Sequence, residues 1–280
     1  MARIIDKATL SPKTSLFIID APHIARKHLP GQFVIVRKDG MGERIPLTIA
    51  DSDPVKGTIT IICQEAGRTS KEIQSMVRGD SFLDIVGPLG RPTHLDRFGT
   101  VILVAGGYGV ATINPIAKGL RGLGNKIVVI IGARTKEFVI WEDQIRMVSD
   151  EVYVTTDDGS YGRKGLVLDE LKRIVIDDAL RPGLVVTVGP IPMMKAVCAF
   201  TAALGIPTYT SLNSIMLDGT GMCGSCRVTI GGEVKFVCVD GPEFDGHKVD
   251  FDELSRRNRI YLEEEKIAHK KCYEVVLGEA

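Results

Sequence analysis

The sequence is poor in aromatic residues and has no excess of either charge. Of 280 residues, 6% are aromatic, tryptophan occurs once, and 35 basic residues balance 35 acidic ones. That balance excludes the basic footprint expected for a nucleic acid or anionic membrane as partner. Long hydrophobic runs are missing too. The longest, "VILVA" and "IVVIIGA", fall far short of the ~20 residues that span a bilayer. The opening "MARIIDKATL" lacks the basic-then-apolar order of a secretory signal. A cytoplasmic protein is the expectation, and in that compartment clustered cysteines are metal ligands before they are disulfides. His23, His28, His94, His247 and His269 show no ligand spacing, and no nucleophile–base constellation is visible. What is present is a chain long enough for two domains, 44% hydrophobic, with 30 glycines and 6 cysteines in informative places.

Residues 1–97 read as short β-strands, "SLFIIDA", "QFVIVR", "IPLTIAD", "TITIICQ" and "SFLDIVG", separated by Gly, Pro and Asp turns. Only "TSKEIQSMV" has a helical period there, and a small closed β-barrel follows because closure removes exposed strand edges. From residue 98 to about 210 the texture changes. Apolar strands "TVILVAGG", "KIVVIIGA", "EVYVTT", "GLVVTVG" and "PTYTSL" alternate with helical stretches. That alternation predicts a doubly wound, parallel α/β sheet. A cysteine-rich lobe at 211–245 comes next, with "CRVTIGG" and "VKFVC" as a hairpin. A charged helical tail, 246–280, reads as a solvated helix, with docking to a partner as the alternative.

In "VAGGYGVA" three glycines, Gly106, Gly107 and Gly109, lie where the first apolar strand meets the first helix. Such a turn lets backbone N–H groups approach a pyrophosphate, and a tight turn without a ligand is the plainer alternative. Arg134 in "IGARTK", Asp157 and Asp158 in "TTDDGSYG", and Gly189, Pro190 and Met193 in "VGPIPMMK" follow the other strands. In an open parallel sheet these carboxyl ends share one crevice. A cation such as Arg134 suits a 2′-phosphate, whereas carboxylates suit a ribose diol. In the barrel, "EAGRTS" carries Gly67, Arg68, Thr69 and Ser70 before the short helix. Its N–H, hydroxyl and guanidinium groups can hold a diphosphate, while Thr69 or Ser70 as a simple N-cap is the alternative.

Cys223, Cys226 and Cys238 form a Cys-x2-Cys pair and a third cysteine. Plant-type 2Fe–2S sites use Cys-x4-Cys-x2-Cys and a distant Cys. Counting back five from Cys223 reaches Asp218, so a carboxylate stands in the first cysteine's position. Gly219, Gly221 and Gly224 permit the tight loop. A Cys3Asp zinc site, or Asp218 as a turn residue only, remains open from spacing alone.

The x-Pro-Leu-Thr segment, the Gly-x-x-Ser loop, "GGYG" and "VGPIPMMK" together resemble the ferredoxin–NADP reductase superfamily. The resemblance implies FAD on the barrel and a nicotinamide nucleotide on the α/β domain. Pro46, Leu47 and Thr48 would line the isoalloxazine, with Thr48 at the reacting centre. Ile62 and Gln64 would border the flavin, and Gly67 to Ser70 would hold its diphosphate. The sequence departs from the family pattern at Ile45, where an Arg is expected. Arg44 falls one residue early, on the opposite strand face, and Arg68 is the expected substitute. "LDGTGMCGSCRV" and "FVCVDGPEFDGHKVDF" further resemble the family of electron-transfer subunits of dihydroorotate dehydrogenase and of NADH-dependent reduced ferredoxin:NADP oxidoreductase, a group also described as sulfide dehydrogenase beta subunits. That resemblance implies an NAD(H)-, FAD- and 2Fe–2S-dependent electron-transfer subunit. Its partner would be a larger flavin and iron–sulfur subunit, and the complex would couple NADH, NADP(H) and ferredoxin by electron bifurcation. A nucleotide-responsive binding module with structural zinc is the reading from another class.

Overall fold

The computed structural model describes residues 2–277; the side chains of His269 and of residues 271–277 lie outside that description, and with them Cys272, which has no assigned role. The first seven strands are β1 (Ala2–Ser11), β2 (Thr14–Asp20), β3 (Phe33–Arg37), β4 (Arg44–Asp53), β5 (Thr58–Gln64), β6 (Ser81–Phe82) and β7 (Asp84–Leu89). They pair antiparallel in the order β6-β1-β2-β5-β4-β3-β7, so the barrel is near-closed, with β6 and β7 at its two ends. Strand β1 has no counterpart in the sequence reading. Arg3, Asp6 and Lys7 interrupt its apolar run, yet Ala2 and Ile4 are buried. Two short helices, α1 (Pro22–Ala25) and α2 (Arg68–Ser75), accompany these strands.

Alternation along β3 decides what the barrel touches. Val34 and Val36 enter the barrel core with Phe17, Ile59 and Ile61, whereas Phe33 and Ile35 join a different core beside Cys226 and Cys238. A period of two gives one strand two faces, and both are buried.

The second sheet contains β8 (Thr100–Gly106), β9 (Lys126–Ala133), β10 (Glu151–Thr156), β11 (Arg163–Lys164), β12 (Leu184–Val188), β13 (Thr208–Ser211) and, later in the chain, β16 (Glu243–Asp245). Its order is β11-β10-β9-β8-β12-β13-β16, parallel except for β16 against β13. Helices α3 (Val110–Gly122), α4 (Glu142–Val148), α5 (Val167–Lys172) and α6 (Ile191–Ala203) cover it. Val101, Leu103 and Ala105 face α3, while Ile102 and Val104 face α5 and α6. Burial on both sides is why these strands are continuously apolar. The chain runs outward from β8 through β9, β10 and β11, then returns to β12 on the other flank of β8. The switch point therefore opens a crevice at the carboxyl ends of β8 and β12.

The remaining chain forms the hairpin β14 (Arg227–Ile230)–β15 (Glu233–Phe236), then α7 (Val237–Asp240), β16, α8 (Phe251–Arg257) and α9 (Leu262–Leu277). Strand β16 stitches this lobe onto the α/β sheet. Phe251 and Leu254 of α8 are buried with Met194 and Cys198 of α6, so the charged tail begins as core; α9 exposes Glu263, Glu264, Glu265 and Lys266. Among the described residues no helix is long and apolar enough to cross a membrane.

Candidate functional site

The site is a seam between barrel and α/β sheet, and α3 makes it. Asn114 Nδ2 donates to the Ala50 carbonyl over 2.8 Å. Lys118 Nζ reaches Asp51 Oδ2 at 2.6 Å. Thr112 Oγ1 lies 3.2 Å from Thr48 Oγ1. Thr48, the residue implied at the flavin's reacting centre, thus meets the first turn of the nucleotide helix. Thr112 was missed from the sequence because its signal is only a helical position after the glycine turn.

On β4, Ile45 and Leu47 pack against the barrel core, and Arg44 is exposed. Ile45 fills apolar space where the family pattern has an arginine. Pro46 is half-buried, Ile62 is buried on β5, and Gln64 ends that strand half-buried. Gly67, rather than Thr69 or Ser70, is the N-cap of α2. Ser70 sits at the third helical position, where its hydroxyl accepts from Ala66 N at 2.8 Å and Gly67 N at 2.9 Å. Arg68 Nε pairs with Glu72 Oε1 at 2.8 Å. The buried Thr69 hydroxyl donates to Glu43, a residue the sequence reading passed over. A hydroxyl has one proton to donate, so any diphosphate bond from Thr69 exchanges with that contact.

At the crevice, the glycines divide by role. Gly107 has φ +57° and open space where a Cβ would stand. Gly109 is packed: a Cβ there would lie 2.5 Å from the Val188 carbonyl oxygen. Gly106 and Gly189 are crowded by Met193, at 2.6 and 2.7 Å from the same virtual atom. Met193 therefore packs against the glycines that end β8 and follow β12, and Pro190 caps α6. Exposed Arg134 follows β9, and its carbonyl accepts from Asp158 N at 3.3 Å, while Asp157 N donates to Ala133 O at 3.1 Å. The Ser160 hydroxyl, 2.7 Å away, and its N–H hold the Asp158 carboxyl below the usual carboxylate range. Arg134, Asp157 and Asp158 share one rim.

In the lobe, Cys226 Sγ and Cys238 Sγ approach to 3.2 Å, each about 1% exposed. Burial, then the neighbouring Cys226 thiol, pushes the Cys238 thiol up to about 12. Cys223 is exposed; burial acts to raise its thiol, but hydrogen bonds led by the Ser225 hydroxyl outweigh it and hold the thiol below its usual value. Asp218 Oδ1 accepts from Thr220 N and Oδ2 from Cys223 N, both at 2.9 Å, and these N–H groups lower its carboxyl. Gly219, Gly221 and Gly224 all have positive φ, which lets the loop curl. Two of the four predicted ligands are brought together here, while Asp218 braces the loop of the third. Among the described residues no three Cys, His, Asp or Glu side chains converge as a metal-ligand set. Cys63 and Cys198 are buried, with thiols pushed up to about 12 by that burial, and both are core residues.

Comparison with known proteins decides the family. A Thermotoga maritima protein described as "Dihydroorotate dehydrogenase B (NAD(+)), electron transfer subunit homolog" is 44% identical over 268 residues, 96% of this chain and 94% of that one. The chain belongs to the dihydroorotate dehydrogenase B electron-transfer subunit family. A Fusobacterium nucleatum electron-transfer subunit of dihydroorotate dehydrogenase B is 33% identical, covering 80% of this chain and 87% of its own. Residues 213–250 match the model of the iron–sulfur cluster binding domain of dihydroorotate dehydrogenase B. A solved chain from the NADH-dependent reduced ferredoxin–NADP oxidoreductase, studied for flavin-based electron bifurcation, superposes with a TM-score of 0.91 at 43% identity over 97% of both chains. Phthalate dioxygenase reductase, at 17% identity and a TM-score of 0.58, shares the fold.

This family member is a flavin- and iron–sulfur-dependent oxidoreductase subunit with FAD, NAD(H) and a 2Fe–2S cluster as cofactors. The chain's own geometry fits them. The backbone at Gly107 is open enough for a pyrophosphate, the Thr48–Thr112 contact joins the barrel to the first helix of the α/β sheet, and the paired Cys226 and Cys238 thiols are of the ligand type that iron takes.

Proposed function

We propose that this chain takes reducing equivalents from NADH at FAD and exports them through a 2Fe–2S cluster to a larger flavin and iron–sulfur subunit, in a heterodimer or larger complex. Through that complex electrons reach NADP(H) and ferredoxin, by bifurcation. The observation that carries this reading is the meeting of Thr48 and Thr112, 3.2 Å apart, across the barrel–sheet seam. Flavin chemistry supplies the exchange between a two-electron nicotinamide and a one-electron cluster.

The chain's own residues bind and position. Pro46, Leu47, Thr48, Ile62 and Gln64 would border the flavin ring, with the Thr48 hydroxyl as the donor toward its reacting centre. Gly67, Arg68, Thr69 and Ser70 would hold its diphosphate, in exchange for the present bonds of Arg68 to Glu72 and of Thr69 to Glu43. Gly106, Gly107, Gly109, Gly189, Pro190 and Met193 shape the nucleotide crevice, and Arg134, Asp157 and Asp158 form the rim for the adenosine ribose. Asp218, Cys223, Cys226 and Cys238 would hold the cluster. No proton shuttle is required of the protein; orientation of the two rings is its contribution. The division of labour follows the chain: 1–97 for FAD, 98–210 for NAD(H), 211–245 for the cluster, with the tail 246–280 beginning in the lobe core. The balanced charge and apolar runs too short for a membrane support a cytoplasmic location.

Anaerobic titration of the purified protein with NADH tests the function. Flavin and 2Fe–2S absorption bands should be present and both should bleach. A colourless, zinc-containing protein would overturn it.

A further inference from the structure

One large side chain projects from the turn between β8 and α3. Tyr108 is 47% exposed, yet burial around its hydroxyl raises the phenol above its ordinary value. Its hydroxyl accepts a hydrogen bond from Asn213 Nδ2 at 3.4 Å, and much of the side chain is left open. Its neighbours shape the turn that carries it. Gly107 before it takes the left-handed region, and Gly109 after it lies against the Val188 carbonyl. The anchor is held in turn: Asn258 Nδ2, at the end of α8, donates to the Asn213 carbonyl at 2.8 Å. One helical turn beyond Tyr108, Thr112 meets Thr48. Tyr108 thus stands on the turn between β8 and α3, one helical turn before the residue that meets the barrel.

We propose that Tyr108 is a positioning residue whose ring packs on the nicotinamide of NAD(H), with Asn213 fixing the tilt of that ring. This rests on the proposed function. A phenol face suits a flat, conjugated heterocycle, and the pyridinium of NAD⁺ adds cation–π attraction. The hydroxyl takes no part in hydride transfer; its bond to Asn213 limits rotation of the ring about its side-chain torsions, so the nicotinamide meets a surface already set.

The test compares NAD⁺ with ADP-ribose, which lacks the nicotinamide, by calorimetry on the oxidised FAD- and cluster-loaded protein. Wild type should prefer NAD⁺ by about three- to tenfold, the range that aromatic pairs contribute. Tyr108→Ala should abolish the preference while ADP-ribose affinity stays unchanged, and Tyr108→Phe should retain it. At saturating NADH, Tyr108→Ala should also slow single-turnover flavin reduction more than Tyr108→Phe does. An unchanged NAD⁺-to-ADP-ribose ratio in Tyr108→Ala, or equal loss of both ligands, would overturn the inference. Failure of wild type to bind either ligand would overturn the nucleotide site of the proposed function as well.

Discussion

Replacing Glu243 with glutamine should make the protein more stable at alkaline pH and leave it little changed at acid pH. Glu243 lies on β16, five residues after Cys238. Its carboxyl is wedged between the barrel and the cluster lobe: it accepts from Thr93 Oγ1 at 2.6 Å, and Oε1 is 3.0 Å from where a Gly31 Cβ would stand. Burial raises its carboxyl from 4.5 to about 7, with the Thr93 bond opposing. The folded protein thus holds this proton more tightly than the unfolded chain does. The stabilisation is complete below about 4.5 and is lost as pH rises to about 7. The difference between those values corresponds to about 3 kcal/mol. Glutamine keeps an acceptor for Thr93 and has no proton to lose. Urea midpoints of the cofactor-loaded protein, measured from pH 5 to pH 8, should therefore diverge, with Glu243→Gln up to about 3 kcal/mol ahead at the alkaline end. A constant gap between variant and wild type across that range would refute the reasoning.

Thr48→Val should retain FAD but slow reduction by NADH in a single turnover, since one lost donor bond costs about 1–3 kcal/mol; an unchanged rate would remove Thr48 from the reacting centre. Gly109→Val should displace the start of α3 from the Val188 carbonyl, costing about 1–3 kcal/mol of stability and weakening NAD(H) binding, with FAD and iron content intact. Loss of FAD at unaltered NADH affinity would reverse the assignment of the two sites. Asp218→Cys should still assemble a 2Fe–2S centre but shift its absorption, EPR signal and midpoint potential, because thiolate is a softer ligand than carboxylate. Three unchanged signals would leave Asp218 as a loop brace only, the role its bonds to Thr220 and Cys223 already show.

The sequence by itself was enough for the order of the architecture. Period-two and fully apolar segments announced the barrel and the parallel sheet, because side-chain burial follows backbone period before any contact is known. The glycines of "GGYG" and the spacing Asp218-x4-Cys223-x2-Cys226-x11-Cys238 were legible for a similar reason: both are local along the chain. Strand β1 was hidden, since Arg3, Asp6 and Lys7 break its apolar pattern and mask the buried Ala2 and Ile4.

What joins the parts is non-local, and only the tertiary structure decided it. Thr112 is 64 residues from Thr48, Asn213 is 105 from Tyr108, and Glu243 is 150 from Thr93. No periodicity encodes such pairs. They arise when α3 docks on β4, when the lobe packs on the outer face of β3, and when β16 returns to β13. Gly109 shows the same limit within a motif. Its place in the turn is written in the sequence, but its need to be glycine comes from the carbonyl of Val188, 79 residues away, which leaves no room for a Cβ.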